Sequence, residues 1–477
     1  MRKLIAVFLA LAICLFTGCN KANTDTPQDS SYTTTSINQI NSQPGSDFGS
    51  TIFESDYTSG THSTTTSESG VTSHEFASNP KQNSGVPSKG NAAASSEDKT
   101  PADNPPIATG DLKAVWISYY ELNFKGKTEK EFRSTIDNMF DQIKNIGLNA
   151  VICHVRPNAD SYYPSQYFPW SANLTGTQGY DPGYDPLKYM VQAAHRRGLQ
   201  FHAWLNPYRV SSRFDDISQL AENHPARIWL SDGTTENDDW AVRCNGGIYF
   251  NPAIPEVQKL IIDGIREIIS NYDVDGIHLD DYFYPTTSPD FDKAAYQRYV
   301  NTVNGKPLSL ADWRRANVNS LVQGIYRAVH EKQGVSFGIS PSAHISSDKS
   351  DKNYNELYAD ITLWMSNSGY IDYIAPQLYF GFEYPNDKFK FNNLLNQWMS
   401  LNRHHSVKIF IGLPAYKIGT LDAGSDEWIK AGDILKRQVE QVWKAKADGF
   451  IIYSYSGLTS QEQLNKTQLD NLRSLLK

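Results

Sequence analysis

A chain of 477 residues would divide into about three domains at ~150 residues each, but its composition argues for fewer. The first hundred or so residues are poor in large apolar groups, so the packed material begins near Asp111 and suffices for one large α/β barrel, which needs about 250 residues or more. A formal charge of -8 and a pI near 5.8 argue against nucleic acid as a partner, because phosphate backbones favour basic surfaces. Aromatic residues make up 12% of the chain, a level compatible with sugar-ring stacking and equally with a large core.

Met1 to Gly18 reads as an export signal: Arg2 and Lys3 supply the positive start, and Leu4 to Phe16 an apolar run too short for a comfortable membrane span. It ends Leu15-Phe16-Thr17-Gly18-Cys19, which resembles a bacterial lipobox with Cys19 as the lipidated residue. Residues 1–19 are therefore expected to be a lipoprotein signal. Residues 20–110, rich in Ser, Thr, Gly, Asn and Pro, are expected to be a disordered tether, because they cannot bury enough apolar area to offset chain entropy. The expected location is outside the cytoplasmic membrane, held there by the lipid alone, with the tether letting the folded part sweep the layer beyond. Of the four cysteines, Cys14 lies in the signal and Cys19 at the lipid site. Cys153 and Cys244 remain, and their spacing suggests no zinc site.

Residues 111–477 alternate apolar strand-like runs with amphipathic helical stretches. Strands are expected at Lys113–Ser118, Ala150–Val155, Gln200–Leu205, Gly276–Asp280, Val335–Pro341, Tyr373–Leu378, Lys408–Leu413 and Phe450–Ser454. Helices are expected at Glu129–Ile146, Pro186–Arg197, Pro255–Ser270, Leu310–Gln333, Glu356–Asn367, Phe391–Asn402, Ala431–Ala447 and Glu462–Leu475. Gly147, Gly198 and Gly334 stand where helices should stop. Eight βα units in order predict a closed (β/α)8 TIM-type barrel. An open doubly wound sheet is the alternative, but the chain lacks a Gly-rich phosphate loop, and no cofactor is expected.

On a strand, alternate side chains share a face. One face is apolar throughout: Val151 and Val155, then Phe201, Ala203 and Leu205, then Ile277 and Leu279, then Ile409, Ile411 and Leu413. It should meet the helices. The other carries His154 and Arg156, then His202, Trp204 and Asn206, then His278 and Asp280, with Gln377, Tyr379, Tyr453 and Tyr455 later. Polar groups at the C-terminal ends of several barrel strands should converge on a site. Taken singly, His154 or His202 is more often a hydrogen-bonded core group. The loops that follow, with Arg209, Tyr282 and the aromatics after Tyr379, suit a wet groove for sugar, though such aromatics also pin loops to a barrel rim.

Several ordered segments resemble the glycosyl hydrolase-like family 10 of bacterial envelope lipoproteins. They are Ala114-Val115-Trp116-Ile117, His154-Val155-Arg156-Pro157, His202-Ala203-Trp204-Leu205-Asn206-Pro207-Tyr208-Arg209, Asp275-Gly276-Ile277-His278-Leu279-Asp280-Asp281-Tyr282-Phe283-Tyr284-Pro285 and Ala375-Pro376-Gln377-Leu378-Tyr379. The resemblance implies a TIM-type barrel and hydrolysis of an envelope polysaccharide, such as peptide-free peptidoglycan strands. A looser likeness to chitinase-type barrels stops at Tyr282, which stands where that pattern has its acidic glutamate.

The expected catalytic pair is Asp280 and Asp281, one as acid and the other as stabiliser, because one carboxylate raises the pKa of its neighbour. His278 would tune Asp280, Gln377 and Tyr379 would hold a substrate carbonyl, and Asp160 and Glu383 are reserve carboxylates. Two other readings stand beside this one. The barrel would bind wall glycan without cutting it, or His278, Asp280 and Asp281 would hold a metal, which the lack of a His-x-x-x-His pair disfavours. The sequence leaves the oligomeric state open.

Overall fold

The computed structural model describes residues 112–346 and 348–477. The expected export signal, lipid site at Cys19 and tether lie outside them. Eight parallel strands close into a barrel: β1 (Leu112–Ile117), β2 (Ala150–Arg156), β3 (Gln200–Leu205), β4 (Gly276–Leu279), β5 (Ser336–Ile339), β6 (Tyr373–Ile374), β7 (Lys408–Pro414) and β8 (Gly449–Tyr453), with β8 pairing back onto β1. Each is followed by a helix on the outside: α1 (Glu129–Ile146), α2 (Pro186–His195), α3 (Pro255–Asn271), α4 (Leu310–Val329), α5 (Ile361–Ser366), α6 (Phe391–Met399), α7 (Ile434–Lys444) and α8 (Gln463–Leu476). The (β/α)8 expectation is met. Among the described residues, no helix is long and apolar enough to cross a membrane.

Local chemistry explains the elements. Helix α1 opens with a capping box, Thr128 accepting from Glu131 N–H while Glu131 accepts from Thr128 N–H, and closes on Gly147 at φ 99°. Val151, Phe201, Ala203, Ile277, Leu279 and Ile411 join the core between strands and helices, as alternation predicts. A separate cluster fills the barrel's interior: Leu112, Ala114, Trp116, Ile152, Trp204, Tyr373, Phe410 and Ile451 among others. Glycines make room for its largest members. A Cβ on Gly338 would stand 2.1 Å from the Tyr373 ring, and one on Gly276 2.3 Å from His202 Nδ1.

The strand-entry end repeats one clamp four times. Asn149, Asp275, Asp372 and Asp448 each directly precede an even-numbered strand. Each side chain accepts a backbone N–H near the start of the odd-numbered strand before it: Lys113 at 2.8 Å, Phe201 at 2.7 Å, Phe337 at 2.7 Å and Ile409 at 3.0 Å. His195 and His330 back two of these clamps, at 2.9 Å from Asp275 and 3.2 Å from Asp372.

Several boundaries differ from expectation. Strand β6 ends at Ile374 rather than Leu378, since Pro376 has no N–H to donate; Gln377 forms only isolated bridges with Ser342 and Gly412. The expected helix Glu356–Asn367 shrinks to α5, because Tyr358 takes φ 55° and Asp360 caps a fresh start; a separate short helix, Lys352–Asn355, ends just before the expected range. The insertion Val210–Asn251 contains strands: Arg209–Ser211, Ala241–Cys244 and Gly247–Phe250 form a small antiparallel sheet. A helix at Lys293–Thr302 was not anticipated. Cys153 and Cys244 are free thiols.

Candidate active site

The C-terminal mouth of the barrel gathers the acids. Asp280 follows β4 on the inward face and is 3% exposed. Trp204 Nε1 donates to its Oδ2 at 3.2 Å, and Asn206 Nδ2 to its Oδ1 at 3.1 Å and Oδ2 at 3.3 Å. The Asp280 carboxyl is pushed up to about 7: burial raises it most and the charge of Asp281 adds to that, while Arg209 and the two hydrogen-bonding side chains oppose the rise. Asp281 lies in the bend after the strand, where Gln377 Nε2 donates to its Oδ1 at 3.3 Å. That bend breaks the alternation that would have sent Asp281 outward. Burial raises its pKa too, opposed first by Lys352.

Asn206 orders the adjoining loop. Its Oδ1 accepts the Arg209 N–H at 3.0 Å while its amide nitrogen reaches Asp280, so one side chain ties the turn after β3 to the acid on β4. Arg209 Nε donates to the Pro157 carbonyl at 3.1 Å, and its guanidinium lies 5.1 Å from the Tyr282 ring. Tyr282 is 41% exposed on the rim. Tyr379 and Tyr453 stack at 5.6 Å with Tyr416 edge-on to both, and Trp116 sits behind them at 6.4 Å and 6.3 Å.

Three predicted residues stand elsewhere. His278 and His202 are fully buried within the barrel, in a chain of hydrogen bonds whose direction is fixed at its start. Trp116 can only donate, so its Nε1 gives to His278 Nε2 at 3.1 Å. His278 Nδ1–H then gives to Tyr373 Oη at 3.0 Å, and that hydroxyl to His202 Nδ1 at 3.0 Å. Desolvation lowers the pKa of both histidines, which keeps them neutral as this chain requires. Neither nitrogen of His278 is spent on Asp280, so the expected tuning contact is absent. Arg156 points away from the mouth. A register shift between His154 and Arg156 aligns it with Leu205 on the outward face, and its guanidinium packs at 4.5 Å on Phe168 beneath α3.

The reserve carboxylates are no better placed. Asp160 is buried and accepts from Asn158 N–H, and Glu383 is exposed on its loop. Tyr455 turns outward to Gln142. His154 is buried with its ring flat on Trp204 at 3.4 Å. Sequence reasoning missed Trp116, Tyr119, Tyr120 and Tyr416 as site residues. For the three tyrosines the signal was present, since each follows a strand at the mouth; Trp116 lies one residue inside the end of β1. Among the described residues, no group of three or more His, Cys, Asp or Glu could hold a metal ion.

The model of the family described as "Glycosyl hydrolase-like 10" matches residues 111–430. This chain belongs to that family. It is 39% identical to "Glycosyl hydrolase YngK" of Bacillus subtilis over 326 residues, which are 65% of this chain and 61% of that protein. The match therefore spans less than two thirds of that relative. It is 32% identical to "Glycosyl hydrolase DigH" of Escherichia coli K12 over 384 residues, 76% of this chain and 83% of that one. Among solved structures, the glycoside hydrolase domain of PgaB from Bordetella bronchiseptica aligns over 76% of this chain and 99% of its own, at 14% identity and a TM-score of 0.49.

Proposed function

We propose that this member of the family is a glycoside hydrolase acting on a bacterial cell-envelope polysaccharide, of amino-sugar type such as peptide-free peptidoglycan strands. The observation that carries the reading is the adjacent pair of aspartates at the barrel mouth, with Asp280 holding its proton up to about pH 7 beside the more open Asp281. A glycosidic oxygen needs a proton as it leaves, and the anomeric centre needs a negative group as it gains positive charge. Asp280 takes the first task and Asp281, held by Gln377, the second. Tyr379, Tyr453 and Tyr416 offer ring faces to sugar. The sequence supports the setting: a signal ending in Cys19 and a long polar tether would hold the barrel at the outer face of the cytoplasmic membrane, within reach of wall glycan.

The test is release of sugars from purified glycan, read by mass spectrometry, with Asp280→Asn and Asp281→Asn assayed separately. Each is expected to lose activity at least a hundredfold. Full activity in both removes the assignment. One observation favours a second reading, a barrel that binds glycan without cutting it. Rim carboxylates that would complete a facing pair are spent on loops: Glu121 accepts from Ser118 and Ser456 N–H, and Glu427 from Glu383 N–H. Glycan retention with no product from the unmodified protein would select it.

A further inference from the structure

A buried guanidinium with an N–H left unpaired is costly, so its surroundings bear on what completes it. Arg209 is 6% exposed, and its Nη2 meets no hydrogen-bond partner among the described residues. Its guanidinium stands 5.8 Å from the Tyr119 ring as well as 5.1 Å from that of Tyr282. His154 is a second such group. It is fully buried, and neither ring nitrogen has a partner among the described residues. Its ring lies 5.4 Å from Tyr119. Tyr119 is thus the common neighbour of two buried groups with nitrogens unspent. Asp280 does not serve as the missing partner. Both its oxygens already accept from Trp204 and Asn206, and it keeps its proton up to about pH 7; Asp281 and Asp160 also feel the charge of Arg209, but neither reaches its Nη2 with a hydrogen bond.

We infer that Arg209 and His154 form a subsite for a carboxylate carried on a sugar ring, with Tyr119 and Tyr282 flanking that sugar. A carboxylate presents two coplanar oxygens, which suit the fork of a guanidinium better than a hydroxyl does. Neutral His154 has one N–H to add. The carboxylate is the ether-linked lactate of an amino sugar or the C6 carboxyl of a uronic acid; both present the same group. The subsite also orients the chain. Its donors come from the β2 and β3 side of the mouth, whereas Tyr379, Tyr416 and Tyr453 come from β6, β7 and β8 and offer rings alone. An acidic sugar would sit on the first arc and a neutral one on the second.

The inference rests on the glycosidase reading for its substrate, and the experiment keeps the two apart. Two oligosaccharide pairs are compared: a peptide-free amino-sugar chain with free lactyl carboxylates and its carboxyl-reduced form, and a uronate-containing chain with its carboxyl-reduced form. Hydrolysis gives kcat/KM for the unmodified protein, and calorimetry gives Kd for the same glycans on Asp280→Asn. The acid form of one pair is expected to be favoured about tenfold or more, as a charge-assisted bond to buried Arg warrants. The pair showing the preference names the source of the carboxylate. In Arg209→Gln that ratio should fall to about one, whatever change is common to both members. Arg209→Lys, which keeps the charge but not the fork, should retain part of it and serves if the Gln variant does not fold. A ratio near one for both pairs, a ratio unchanged by either Arg209 variant, or no binding of any of the four glycans overturns the subsite. Discrimination in Kd without hydrolysis would overturn the glycosidase reading and leave the subsite standing.

Discussion

Trp204 and Asp280 are joined by one hydrogen bond, 3.2 Å from the indole Nε1 to Oδ2, under a ring that His154 covers at 3.4 Å. The donor favours the charged carboxylate and so holds the pKa of Asp280 below what burial alone would give. Trp204→Phe keeps a ring for His154 and removes the donor. The pKa should then rise. If Asp280 is the acid, activity lost as pH climbs through about 7 in the unmodified protein should persist to higher pH in the variant. A pH profile of kcat/KM reads the shift, and an unmoved alkaline limb would argue against Asp280 as the acid.

Asp280 also sets a stability trend. Its folded pKa of about 7 stands above the ordinary 3.8. Between those values the folded chain keeps a proton that the unfolded chain has released, so stability falls as pH rises through that window. Asn cannot titrate. The melting temperature of Asp280→Asn minus that of the unmodified protein should therefore become more positive from pH 4 to pH 8. A flat difference would show that Asp280 is not held protonated.

The loop that leaves the acids is pinned from below. Arg314 and Asp292 form a fully buried ion pair, Nε to Oδ2 at 2.9 Å and Nη2 to Oδ1 at 2.6 Å. Arg314 also donates to the carbonyls of Thr287 and Ser288 and to Tyr358 Oη. Removing one partner leaves the other charged and buried, a loss of about 3–5 kcal/mol. Arg314→Met should lower the denaturation midpoint accordingly. A change under about 1 kcal/mol would mean that water or relaxation takes the place of the pair.

The histidine-backed clamps at the strand-entry end titrate in a different way. The hydrogen bond that His195 donates to Asp275 raises the pKa of His195, and the one that His330 donates to Asp372 raises the pKa of His330. For a base with a raised folded pKa, the added stability is fully present below the unfolded value, near 6.5, and is lost as pH rises through the folded one. His195→Asn with His330→Asn should flatten the decline in melting temperature from pH 6 upward, on top of the contribution of Asp280. An unchanged slope would show that neither clamp is charged in the folded state.

Much of this arrangement was legible in the residues. Period-two alternation in Phe201, Ala203 and Leu205 against His202, Trp204 and Asn206 separated the helix-facing side from the interior, because a pleated strand has no other way to place them. It placed Asp280 inward for the same reason. Alternation misplaced Arg156, since a one-residue register shift swaps faces and leaves no local mark in His-Val-Arg-Pro. Nor could it rank residues by depth. His202, His278 and Asp280 share one face, but only their height along the barrel separates buried hydrogen-bonded histidines from an acid at the mouth.

By itself, then, the order of residues determined the eight βα units, the inward acid and the family, because these follow from local periodicity and contiguous motif. Tertiary structure alone decided that Asp281 turns back to meet Gln377, that Asn206 bridges Arg209 to Asp280, and that His154 and Arg209 meet at Tyr119. Each of those contacts joins side chains from different strands or loops, and closure of the barrel is what brings them within reach.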